Sequence, residues 1–128
     1  MSYYFSRKVK GPFEDVENRV RIALKEEGFG VLTEIDVRET LKKKLDVDFR
    51  KYRILGACNP PFAYKALQVE DKIGTMLPCN VIVQEVGTDE VEVAAIDPIA
   101  SMQAVKNEAL QPVADEVQRK LKKVIDKV

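Results

Sequence analysis

The chain has 128 residues, 45% of them hydrophobic and 33% charged, with 21 basic against 21 acidic side chains. That length suits one domain with its own core, and a net charge of zero supplies no field to gather nucleic acid or an anionic membrane. Histidine is absent, which excludes Ser-His-Asp and Cys-His nucleophile arrangements, imidazole proton transfer and the zinc ligand sets that contain histidine.

Met1 to Lys8 holds no apolar run of signal-peptide length, and no segment is long enough to span a bilayer. Two cysteines without an export signal are expected to be reduced thiols, so a cytoplasmic location is expected. Tyr3 to Val9 alternates as a half-buried strand does, with Tyr3, Phe5 and Val9 on one side and Arg7 interrupting it. Gly11-Pro12 stops that strand and opens a helix, with Glu14 and Asp15 in its first turn. Phe13, Val16, Val20, Ala23 and Leu24 mark its core face and Gly28 its end. Glu17, Arg21, Lys25 and Glu26 fall on the opposite face, where solvent is expected.

Gly30 to Asp36 reads as a second strand. Asp36 then caps a short helix, with Glu39 completing a box-like pair and Val37, Leu41 and Leu45 along one stripe. Lys42-Lys43-Lys44, flanked by Glu39, Asp46 and Asp48, reads as a solvated helix face. Phe49 to Ala57 is the third strand. Asn59 as N-cap and Pro60 at the first helical position start a helix whose apolar face is Phe62, Ala66, Leu67 and Val69. Gly74 and Pro78 close that segment.

Val81 to Val86 and Glu90 to Ile96 are strands joined by Gly87-Thr88-Asp89, a short hairpin loop. From about Asn107 to Val128, the residues Leu110, Val113, Val117, Leu121, Val124 and Val128 keep helical spacing, with Pro112 in the first turn or at a bend. The whole is α+β: a mostly antiparallel sheet with its helices on one face.

Three short pieces stand apart from this scaffold: Cys58-Asn59-Pro60-Pro61, Cys79-Asn80 and Asp97-Pro98. In the hairpin, opposing Val83 with Val93 and Val81 with Ala95 keeps apolar side chains on one face. The same register carries Cys79 opposite Asp97. If the third strand runs antiparallel beside Val81 to Val86, Cys58 reaches the same end of the sheet. Cys58 then precedes a helix N-terminus, where the dipole favours thiolate, although Pro60 and Pro61 withhold two N–H donors. A small buried residue at a tight junction is the competing account of Cys58.

Asn59 has an N-cap role available, and Asn80 either bonds local backbone or lines a pocket. Asp97 before Pro98 suits helix capping at least as well as catalysis. Cys58, Cys79 and Asp97 make a weak candidate metal set, short of a fourth ligand, and no metal is expected. Gly56 and Gly74 permit tight backbone without any phosphate-loop pattern, and no cofactor is expected. Ile82, Ala94 and Ile96 fall on the other face of the sheet, with Asn80, Gln84, Glu90 and Glu92. A partly apolar exposed face suggests a homodimer.

The segment Gly56-Ala57-Cys58-Asn59-Pro60-Pro61-Phe62-Ala63-Tyr64-Lys65-Ala66-Leu67 resembles the domain of unknown function 302 family of small bacterial and archaeal proteins. Glu27 to Asp36, Leu77-Pro78-Cys79-Asn80-Val81 and Ala95-Ile96-Asp97-Pro98 support the resemblance, which covers nearly the whole chain. It implies a TATA-binding-protein-like order, β-α-β4-α, in single copy and as a dimer, with no activity to carry over. DNA binding is not implied, because fold does not carry function and the charge is missing.

Three functions follow as expectations. The first is binding of a small-molecule ligand at Cys58, Asn59, Cys79, Asn80 and Asp97. The second is a thiol-dependent redox or covalent activity at Cys58 and Cys79. The third is a homodimeric interaction module with no catalytic site. Catalysis is not the favoured expectation.

Overall fold

The computed structural model describes residues 2–128. In chain order they form β1 (Tyr4–Lys10), α1 (Phe13–Glu26), β2 (Gly30–Asp36), α2 (Val37–Leu45), β3 (Tyr52–Cys58) and α3 (Pro60–Val69). A 3-10 turn (Asp71–Met76) leads to β4 (Cys79–Gly87), β5 (Glu90–Ile96), α4 (Pro98–Ser101), a second 3-10 turn (Glu108–Leu110) and α5 (Gln111–Lys127). The five strands make one sheet in the order β1-β5-β4-β3-β2, every pairing antiparallel. The expected β-α-β4-α order is therefore present, with α2, α3 and α4 added to it.

Helices α1 and α5 share one face of the sheet, and the core lies between. Phe13, Val16, Val20, Ala23 and Leu24 are all buried there, as are Val117, Leu121 and Val124. Beneath them lie Leu55, Val81, Val83, Val91 and Val93 from alternate positions of β3, β4 and β5. Arg7 does interrupt the apolar side of β1, and the interruption is satisfied. Its guanidinium donates to the Asp126 carbonyl at 2.6 Å, serving an acceptor that the last turn of α5 leaves without an intrahelical donor.

Four expectations are corrected. Glu17 is not on a solvent face but is 7% exposed, accepting hydrogen bonds from Arg53 at 2.6 Å and Arg21 at 3.0 Å. Asp36 caps α2 through Glu39 N–H, but the Glu39 carboxylate pairs with Lys43 instead of closing the box. α2 rests on β2 and β3 without burying any residue fully, and Leu45 at the end of its stripe is 65% exposed. The hairpin loop is shorter than expected: Gly87 pairs with Glu90, leaving Thr88-Asp89, and a register shift between Glu85 and Gly87 puts a bulge at Val86. Asp89 takes φ +56°, the left-handed conformation that such a tight turn requires and aspartate tolerates.

Pairing also aligns the face of the sheet turned away from α1 and α5. Ser6, Ala94, Ile82, Ile54 and Ile35 oppose one another in turn across all five strands. The apolar face expected from Ile82, Ala94 and Ile96 thus extends to Ile54 and to the exposed Ile35 at the sheet edge. Tyr3, Tyr4 and Tyr52 frame it, with Asn80, Gln84 and Glu92.

Candidate functional site

The hairpin register is the one chosen by apolar pairing: Val83 opposes Val93 and Val81 opposes Ala95. β3 runs antiparallel to β4, so Ala57 opposes Cys79 and Cys58 ends its strand at the same edge of the fold. Beyond this edge the chain leaves the sheet three times, into α3, out of the first 3-10 turn and into α4. Those exits, together with the start of α5, border a pocket that stays open to solvent on one side.

The pocket has a volume of about 270 Å³. Phe29, Ala57 and Cys79 come from the sheet side, Phe62, Ala63 and Ala66 from α3, and Val113, Ala114 and Val117 from α5. Leu77, Pro78, Pro98 and Met102 close it at the β4 and α4 ends, and Leu32 and Thr33 of β2 lie at its border. Cys58 and Asn59 complete the lining, in which no described residue is acidic or basic. The space arises from side-chain size. Ala57, Ala63, Ala66 and Ala114 occupy positions where the neighbouring core carries valine, leucine or phenylalanine.

Asn59 is the polar anchor of this site. It is 8% exposed, and its side chain does not cap α3. Instead Nδ2 donates to the Glu27 carbonyl at 3.2 Å, tying the β3–α3 junction to the end of α1. Glu27 is held in turn by Lys127, whose Nζ reaches its carboxylate at 2.7 Å. That ammonium holds the Glu27 carboxyl below the usual carboxylate range. Gly28 turns the chain here with φ +86°, and a Cβ at that position would sit 3.1 Å from Asn59 Nδ2.

Gly56 has a different necessity. A Cβ there would lie 2.0 Å from Thr33 Oγ1 and 2.7 Å from Pro78 Cγ, so only glycine lets these two pocket residues close over β3.

Both thiols line the pocket. Burial, followed by the proximity of Cys58, pushes the Cys79 thiol up to about 11. The thiol therefore stays protonated at neutral pH, which makes it a poor nucleophile. Cys58 is half-buried at the pocket wall, and neither cysteine is in a disulfide.

Asp97 and Asn80 do not join them. Asp97 caps α4, its Oδ1 accepting from Ile99 N–H at 3.0 Å and from Gln118 Nε2 at 3.1 Å, and its own N–H donates to the Tyr3 carbonyl at 2.8 Å. Its neighbour Pro98 lines the pocket in its place. Asn80 alternates onto the face of the sheet turned away from α1 and α5. Among the described residues no group of three cysteine, aspartate or glutamate side chains could hold a metal ion, so the set Cys58, Cys79 and Asp97 is not assembled. No helix among those residues is long and apolar enough to cross a membrane.

Fold and site together define a small α+β domain with an open antiparallel sheet and an apolar pocket at one sheet end. The chain belongs to the family described as Domain of unknown function DUF302, whose model matches residues 5–128. A solved structure, that of an uncharacterized conserved protein DUF302 from Bacillus stearothermophilus, superposes with a TM-score of 0.90 at 26% sequence identity. The match covers 99% of this chain and 98% of that one. Comparison with curated proteins returns no match.

Proposed function

We propose that this domain binds a small, mainly apolar organic molecule in the pocket between β3, β4, α3 and α5. The observation carrying this reading is an uncharged cavity of about 270 Å³ with a few polar groups among apolar walls, the usual composition of a ligand site. A dry cavity of about 150 Å³ accommodates benzene, so this one suits a molecule of roughly eleven non-hydrogen atoms.

Titration with 2-naphthol, followed by its fluorescence, tests the reading. Saturable binding is expected, and Ala63→Trp should weaken it at least tenfold with the circular dichroism unchanged. Ala63 is half-buried on α3 at the pocket wall, so the indole would fill ligand space at modest cost to the core. Binding that Ala63→Trp leaves intact would place the ligand elsewhere and defeat the proposal.

The thiol reading has less support. With Cys79 protonated, a redox or covalent step at neutral pH would rest on Cys58 alone.

Self-association is a second reading, compatible with the first and favoured by the half-buried Ile82 and Ile54 and the exposed Ile35, aligned on one face of the sheet. Two such faces can cover one another about a two-fold axis, the commonest arrangement for identical chains. Sedimentation equilibrium should then give twice the 14.5 kDa chain mass. Ile54→Lys, which puts an ammonium in the middle of the row, should return the protein to monomer. A wild-type monomer at roughly 100 μM, well above working concentrations for stable dimers, would rule this reading out.

A further inference from the structure

Resting on the ligand-binding reading, we infer that the pocket selects an uncharged molecule that offers one hydrogen-bond donor, O–H or N–H, to Asn59 Oδ1. The orientation of the Asn59 amide carries the argument. Its partner at 3.2 Å is the Glu27 carbonyl, which can only accept, so Nδ2 must face Glu27 and the amide cannot be flipped. Oδ1 is thereby left on the other side of the amide, and no described residue donates to it.

Asn59 is more than nine-tenths buried and lines the pocket. Yet no described side-chain oxygen or nitrogen is both fully buried and unpartnered, so Oδ1 keeps an opening. Because Asn59 lines the pocket, we place that opening there. An amide oxygen in an otherwise apolar wall favours a ligand that donates to it and rejects one that cannot, because the acceptor would then lose water without replacement. No described aspartate, glutamate, lysine or arginine lines the pocket beside Asn59. Cys79 is a neutral thiol, and Thr33 offers a hydroxyl at the border. Lys65 lies outside the lining, 5.4 Å from the Phe62 ring centroid and exposed, where pairing with an anion is screened by water.

Three probes of nearly equal shape separate the alternatives: 2-naphthol, 2-methoxynaphthalene and 2-naphthoate, each titrated at pH 7 by fluorescence and confirmed by chemical-shift perturbation at Asn59. The expected result is 2-naphthol bound at least tenfold tighter than 2-methoxynaphthalene, with 2-naphthoate weaker than 2-naphthol. Asn59→Ala should bring 2-naphthol down to the level of 2-methoxynaphthalene. Should that variant fail to fold, the wild-type comparison of the three probes still decides.

Equal binding of 2-naphthol and 2-methoxynaphthalene would mean that water serves Oδ1 and would overturn the inference, leaving the pocket as a ligand site. Naphthoate bound as tightly as naphthol would overturn the requirement for an uncharged ligand. Failure of all three to bind, with Ala63→Trp indistinguishable from wild type, would instead remove the ligand-binding reading and the inference with it.

Discussion

Replacing Glu17 with alanine is expected to lower the unfolding free energy by about 2 kcal/mol. Glu17 projects from α1 towards the sheet, where it accepts from Arg53 of β3 at 2.6 Å and from Arg21 of its own helix at 3.0 Å. Arg21 continues to Glu34 at 3.0 Å, and Arg53 to Glu34 at 3.5 Å and Asp36 at 3.6 Å. One buried carboxylate thus joins α1, β2 and β3 through two guanidinium groups. Breaking a fully buried pair costs about 3–5 kcal/mol. The effect here is smaller because Arg53 and Arg21 keep side-chain exposures of 29% and 33%, and Arg53 retains Glu34 and Asp36 after Glu17 is gone. Urea unfolding gives the measurement, with a fall in melting temperature of about 6 to 8 °C alongside. A cycle with Arg53→Ala should show the two losses to be non-additive. Additive losses would mean that Glu17 contributes by packing alone.

Glu17 also shows where reading from the chain stops. Helical spacing assigns it to the polar side of α1, beside Arg21, and that assignment is sound for an isolated helix. What buries it is Arg53, 36 residues away and paired beside Asp36 across β2 and β3. Local pattern holds no information about a charge arriving from a different strand.

The same limit divides the candidate site. Cys58 and Cys79 were legible as neighbours because strand register is set by apolar alternation, and Val83 opposite Val93 left little freedom. Asp97 was carried to the same place by extending that register past the end of β5, where the chain turns into α4 and the carboxylate becomes a cap. Asn80, one residue from Cys79, points to the other face for the reason that strands alternate. Asn59 matched the profile of an N-cap, and its true partner, the Glu27 carbonyl, is set by how α1 ends against β3. The pocket itself has a sequence signal. Ala57, Ala63, Ala66 and Ala114 are small residues on faces otherwise filled by large ones, and volume left by four such positions is where a cavity collects.

Between pH 8 and pH 10.5 the wild-type protein is expected to lose about 2 kcal/mol more stability than the Cys79→Ala variant does. The thiol is pushed from an ordinary 9.0 to about 11, first by burial and then by Cys58. The folded state therefore holds the Cys79 proton more tightly than the unfolded chain does. Well below pH 9 both states are protonated and the full contribution is present. As pH rises from 9 towards 11 the unfolded chain sheds its proton first, so stability falls across that window. Tyrosine and lysine side chains titrate in the same range, and subtracting the variant's profile removes them. Urea unfolding at the two pH values supplies the four numbers required. Parallel profiles would mean that water reaches the Cys79 sulfur as freely in the folded protein as in the unfolded chain. A pocket wetted to that depth would not favour an apolar ligand, so the alkaline limb of the stability curve also reports on how dry the proposed binding site is.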